Sequence, residues 1–129
     1  IPKERMKAGR EHSVPLSQTA WDVLQQARGL RPDDTEPTGL IFPGTKNKPI
    51  SDMTLTQLLR RMQQPYTVHG FRASFRTWGA DIAHYEHDML EIALSHIVGD
   101  ATVRAYHRSD MVEKRRKLMA EWAAHLEPG

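Results

Sequence analysis

Apolar positions recur every three or four residues along most of this chain, and that spacing predicts a mainly helical fold. Ala20, Trp21, Leu24 and Ala27 form one face of a first helix that Ser17 can cap, and the stretch from Gly29 to Thr38, rich in Pro and Asp, ends it. The run Gly39-Leu40-Ile41-Phe42 closes at Pro43-Gly44, and Thr45 to Ile50 reads as loop with two lysines. Ser51 is placed to cap a second helix, whose Leu55, Leu58, Leu59 and Met62 make a stripe expected to be buried and which Pro65 stops. From His69 to about Ala83, Phe71, Phe75, Trp78 and Ile82 predict a third helix, and a fourth is expected from Asp88 to Ser95. Val98-Gly99-Asp100 breaks the chain, and Ala101 to Arg108 suits a short helix. Asp110 is placed to cap a last helix through Leu126, with Met111, Leu118, Trp122 and Leu126 facing inward.

Only the opening departs from this period. Ile1, Val14 and Leu16 are β-compatible residues on either side of the turn-prone Lys7-Ala8-Gly9-Arg10, which predicts a β-hairpin with a basic loop. The fold class expected is therefore mainly α with a small N-terminal β-hairpin, an α+β chain. Its 129 residues fit one domain with one core. No repeat or linker divides them.

Composition narrows the chemistry. The absence of cysteine excludes disulfides, thiolate metal sites and a cysteine nucleophile, and leaves an intracellular setting as the default expectation. No apolar run is long enough to span a bilayer, so no membrane role is expected. A formal charge of +2 is modest, yet a pI near 9.1 is compatible with a basic face toward DNA. The chain opens on Ile1 in a basic segment without the pattern of a signal peptide, and reads as starting inside a longer protein.

On the third helix, about 100° per residue puts His69, Arg72 and Arg76 on one stripe, away from Phe71, Phe75, Trp78 and Ile82. His69 stands near the helix N-terminus, where backbone amides favour an anion, and an arginine fork beside it suits phosphoryl oxygens. His-x-x-Arg alone is common on solvated helix edges. Leu94-Ser95-His96 follows, and Tyr106 comes ten positions after His96 within Val103-Arg104-Ala105-Tyr106-His107-Arg108. A tyrosine in such a segment is ordinarily half-buried packing. Lys114-Arg115-Arg116-Lys117 reads as the solvent face of the last helix, His84 and His87 as exposed histidines, and Trp78 and Trp122 as core.

Taken in order, Lys7 in its basic hairpin, His69-Gly70-Phe71-Arg72, Leu94-Ser95-His96 and Ala105-Tyr106-His107-Arg108 make the chain resemble the tyrosine recombinases, especially integrases of phages and genomic islands. Ile1 to Lys7 resembles the stretch leading into that family's lysine hairpin, His12 to Ser17 the strand returning from it, and Glu113 to Trp122 its terminal helix. The resemblance implies a catalytic-domain fold truncated at its N-terminus, with residues 1–129 a partial catalytic domain. The preceding DNA-binding region and the N-terminal portion of the domain would be absent.

The resemblance further implies site-specific DNA recombination through a 3′-phosphotyrosine intermediate, without metal, ATP or other cofactor. Tyr106 would be the nucleophile and Arg72 would bind the non-bridging oxygens. His69 would assist proton removal from the phenol, His96 would donate to the phosphate, and Lys7 would protonate the leaving 5′-oxygen. Lys3, Arg5 and Arg10 share the hairpin with Lys7. In the family a further arginine precedes that hairpin, and no residue here matches it, so the isolated chain is expected to be impaired. Implied partners are double-stranded DNA, further copies of the protein in a tetrameric synaptic complex and accessory DNA-bending proteins, in a bacterial or phage-derived cytoplasmic setting. Two other readings fit parts of the pattern: a non-catalytic DNA-binding or assembly module on a recombinase-like scaffold, and a helix-turn-helix regulator, which gives no reason for the order of His69, Arg72, His96 and Tyr106.

Overall fold

The computed structural model describes residues 1–30, 40–99 and 111–127. Among them are five α-helices: α1 (Gln18–Gly29), α2 (Thr54–Arg61), α3 (Val68–Thr77), α4 (His87–Ala93) and α5 (Val112–Leu126). The chain divides into two compact units, one of residues 1–17 and 72–129 and the other of residues 18–71. Residues 101–108, expected to form a short helix, and Asp110 lie outside the described residues.

The expected N-terminal β-hairpin is not formed, and no strand occurs among the described residues. Lys3–Arg5 is a turn of 3-10 helix, and the segment is closed by one rung, in which Ile1 N donates to His12 O at 2.7 Å and His12 N donates to Ile1 O at 2.9 Å. A ladder cannot grow from that rung, because the next hydrogen-bonded pair would be Lys3 with Arg10, and the 3-10 turn takes Lys3 out of the extended conformation. The turn at residues 7–10 does form, with Gly9 at φ 61° and its N–H bonded to Met6 O at 2.9 Å. The chain is therefore helical with a looped opening, not α+β.

The first unit has a compact core. Phe75 and Trp78 at the end of α3, Leu90 of α4 and Leu118 of α5 are buried together, with Tyr85, Met89, Leu94, Met119 and Trp122 against them. The rings interlock: Trp122 meets Phe75 edge-on at 5.6 Å and Trp78 at 5.0 Å, both within the range where aromatic geometry adds to area burial. Past Thr77 the helix widens into one π-turn, Trp78–Ile82, closed by Ala83 N to Trp78 O at 2.9 Å. Tyr85 N then bonds Gly79 O at 2.8 Å, and the chain enters α4. The Tyr85 hydroxyl donates to Glu121 Oε2 of α5 at 2.8 Å, and burial together with that carboxylate pushes its pKa up to about 12.

Several side chains sit otherwise than their spacing suggests. Phe71 and Ile82 share a sequence stripe with Phe75 and Trp78, yet both are exposed, and at Ile82 the π-turn has shifted the phase of the stripe. Leu126 is likewise exposed, while Leu118 is fully buried. Within the basic run of α5, Lys114, Arg116 and Lys117 face solvent, but Arg115 does not: it is 1% exposed, and its Nη1 donates to Ser13 O at 2.8 Å, fastening α5 to the N-terminal segment.

The second unit, taken by itself, has no fully buried side chain among its described residues. Leu55, Leu58 and Met62 of the α2 stripe are exposed and Leu59 is half-buried. Ser51 lies one turn ahead of α2, its Oγ 3.1 Å from Thr54 Oγ1, and the N-cap position belongs to Met53.

Gly79 packs directly against Leu90: a Cβ there would overlap Leu90 Cδ2. Gly79→Ala is expected to destabilise the protein by about 1–3 kcal/mol through overpacking, despite the better helix propensity of alanine. Thermal unfolding of the variant beside wild type measures it, and an unchanged melting temperature would refute this packing.

Candidate phosphate-binding site

The N-terminus of α3 is capped by Thr67, whose Oγ1 accepts from Gly70 N at 2.9 Å. His69 is exposed in this first turn, within the second unit. From Arg72 onward α3 belongs to the first unit, and the site is built there from α3, α4 and the turn after α4.

α4 ends in a Schellman motif. Ser95 adopts the left-handed conformation at φ 60°, Ser95 N bonds Ile92 O at 2.9 Å, and His96 N bonds Glu91 O at 2.8 Å. This backward fold brings His96 over Glu91, although the two are five residues apart. The imidazole Nδ1 lies 2.5 Å from Glu91 Oε2. Its Nε2 lies 2.6 Å from Arg72 Nη2, and the same Nη2 donates to the carbonyl of Leu94. The other carboxylate oxygen of Glu91, Oε1, accepts from Arg76 Nε at 2.7 Å and lies 3.8 Å from His87 Nε2.

Donor and acceptor roles follow from chemistry. A guanidinium only donates, so Nε2 of His96 must present its lone pair to Arg72, and the ring proton is then on Nδ1, directed at Glu91. Arg76, Glu91, His96 and Arg72 thus form a continuous chain of bonds. The Glu91 carboxyl is held below the usual carboxylate range, first by the Arg76 hydrogen bond and then by His96, against a burial effect of opposite sign. Glu91 is 14% exposed, whereas the side chains of His96 and Arg76 are 47% and 48% exposed. The anchor is inside and the cationic edge is open to solvent, an arrangement able to receive an anion.

Of the residues singled out from sequence, Arg72 and His96 are brought together across 24 positions. Lys7 stands exposed in the turn at residues 7–10, with no hydrogen bond to that pair among the described residues. Tyr106 lies outside the described residues. Glu91 was missed from sequence, and Arg76 was placed on the right stripe without a partner. The available signal was a lone acid amid the apolar Met89-Leu90-Glu91-Ile92-Ala93-Leu94 of a short helix. His84 and His87 are exposed, as expected.

Two outcomes are expected from this geometry. Ser95→Gly relieves the left-handed strain while preserving the motif, for a gain of roughly 0.5–1 kcal/mol after the greater unfolded-state freedom of glycine is counted. Ser95→Val lowers the melting temperature and displaces His96. The lowered pKa of Glu91 contributes stability that is present above its unfolded-state value and lost as pH falls through its folded value. Glu91→Gln is therefore expected to flatten the acid limb of stability against pH below about 4.5 relative to wild type, as followed by denaturant melts.

No family model matches the chain, and no solved structure does. Curated relatives match over most of it. The chain is 34% identical over 127 residues to the prophage integrase IntA of Escherichia coli K12, covering 95% of this chain and 30% of that protein. It is 33% identical over 129 residues to the integrase of Enterobacteria phage P4, covering 95% of this chain and 28% of that protein. The prophage integrase IntZ of Escherichia coli K12 matches at 33% over the same share of the chain. The chain spans about 30% of the length of these relatives. Along nearly its whole length it is thus related to the integrases of phages and prophages.

Proposed function

We propose that the protein carrying this chain is a tyrosine-type site-specific recombinase, which cuts and rejoins DNA strands to integrate or excise mobile DNA. The observation that carries the reading is the pairing of Arg72 with His96 on a solvent-open edge, in a chain related to phage integrases. A phosphodiester resists attack because its charge repels nucleophiles and its alkoxide leaves poorly, so donors on the phosphate and a proton for the leaving oxygen are both needed.

In this reading the Tyr106 oxygen attacks phosphorus, a phosphotyrosine bond forms at the 3′ side and the bond to the 5′-oxygen breaks. Arg72 and His96 contact the non-bridging oxygens, with Arg72 stabilising the charge of the pentacoordinate transition state. His69 takes part in removing the phenol proton, since an imidazole titrates far closer to neutrality than a phenol. Lys7, from an exposed turn, delivers a proton to the departing 5′-oxygen. The energy conserved in the covalent link lets another strand's 5′-hydroxyl reverse the step, so no metal or ATP is required. Double-stranded DNA is the substrate. Further copies of the protein, assembled as a tetramer on DNA with DNA-bending proteins, complete the exchange.

The test uses the intact protein and a nicked suicide substrate that traps the covalent intermediate. Wild type is expected to give a protein-DNA adduct, Tyr106→Phe none, and Arg72→Ala a cleavage rate lower by roughly 10²–10³-fold. An adduct that persists in Tyr106→Phe overturns the assignment of the nucleophile. The absence of any adduct from wild type overturns the recombinase reading in favour of a non-catalytic DNA-binding or assembly module.

A further inference from the structure

We infer that Glu91 is a positioning residue for the strand-cleavage step, anchoring His96 from behind while Arg76 keeps the carboxylate from capturing Arg72; the inference rests on the recombinase reading. An imidazole ring can flip and can carry its proton on either nitrogen, and a hydrogen bond at one nitrogen settles both choices. Here Oε2 of Glu91 takes Nδ1 at 2.5 Å, which leaves Nε2 aimed at Arg72 Nη2. The atom of His96 nearest the guanidinium is thereby the one that meets a phosphate oxygen seated on Arg72.

Donation from Nε2 to that oxygen requires a proton there in addition to the one on Nδ1. Glu91 accepts the Nδ1–H and offsets the positive charge of the doubly protonated ring, as a buried carboxylate does behind other functional imidazoles. Glu91 is 14% exposed and remains ionised at neutral pH because its hydrogen bonds outweigh the effect of burial.

Arg76 has a different task. A carboxylate so close to the arginine that binds phosphate is a competitor, because an Arg72–Glu91 pair would occupy the fork meant for substrate. The bond from Arg76 Nε to Oε1 at 2.7 Å engages the oxygen that His96 leaves unused. With both oxygens committed, Glu91 orients His96 without neutralising Arg72.

The measurements are single-turnover cleavage of the suicide substrate by the intact protein, its DNA affinity, and the ¹⁵N spectrum of the His96 ring, assigned with His96→Asn. Wild type is expected to carry its ring proton on Nδ1. Glu91→Ala is expected to lose that tautomer and cleave roughly 10–100-fold more slowly, with DNA affinity changed less than about threefold because the phosphate-contacting cations remain. Glu91→Gln keeps a carbonyl acceptor for Nδ1–H without the charge, and is expected to fall between the two. Arg76→Ala is expected to slow cleavage and to weaken DNA binding, and serves as the second probe if Glu91→Ala does not fold. Wild-type cleavage rates in Glu91→Gln and Arg76→Ala, or a neutral His96 protonated on Nε2 alone in the wild-type protein, overturn the inference while leaving the recombinase reading intact. Failure of wild type to form any adduct overturns both.

Discussion

The bond between the Glu91 carboxylate and the His96 ring depends on nearly every other feature of the first unit. Leu90, the preceding residue, is buried against Gly79, Phe75 and Trp78, so the position of α4 on α3 is set by close packing. One residue further on, Glu91 is carried to Arg76, and the left-handed turn at Ser95 returns the chain so that His96 comes back over the same carboxylate. Packing, helix capping and electrostatics are here consecutive consequences of a single helix end. A half-buried carboxylate is tolerable because three polar partners surround it, and those partners become fixed by the same bonds.

Arginine has two opposed uses in this unit. Arg115 is buried on α5 and holds the N-terminal segment through a backbone carbonyl, a structural part that its place in a basic run conceals. Arg72 is half-buried beside an exposed imidazole, with its Nη2 shared between that ring and a backbone carbonyl. Burial shields the guanidinium of Arg115, whereas the contact of Arg72 with His96 is open to solvent. For the proposed reaction that difference matters, since DNA must approach a guanidinium that is already oriented but not already neutralised.

The order of motifs along the chain and the hydrogen bonds of the first unit meet at the same two side chains. Motif order along the chain drew attention to Arg72 and His96, while the hydrogen bonds bring them together without reference to any relative. Glu91 enters from geometry alone. The place proposed for it in the reaction therefore stands on the physical demands of an imidazole that must face one way.

Helical spacing made α1, α2, α3, α4 and α5 legible in the sequence, because apolar residues recurring every three or four positions are a local imprint, even where, as in α2, the stripe is exposed. The place of Trp78 and Trp122 in or against the core and the turn at residues 7–10 were legible for similar local reasons. The absence of a hairpin was not, since β-compatible residues flanking a turn do not reveal whether a 3-10 turn will prevent a ladder. Nor was the exposure of Ile82, or the burial of Arg115, because one π-turn or one distant carbonyl decides which side of a helix meets the core. What the amino-acid order determined by itself is the set of helices and the candidates Arg72 and His96. What only tertiary structure decided is that Glu91 and Arg76, fifteen residues apart, share one bond and so set the direction of the imidazole, because contacts between helices depend on packing angles that no local spacing encodes.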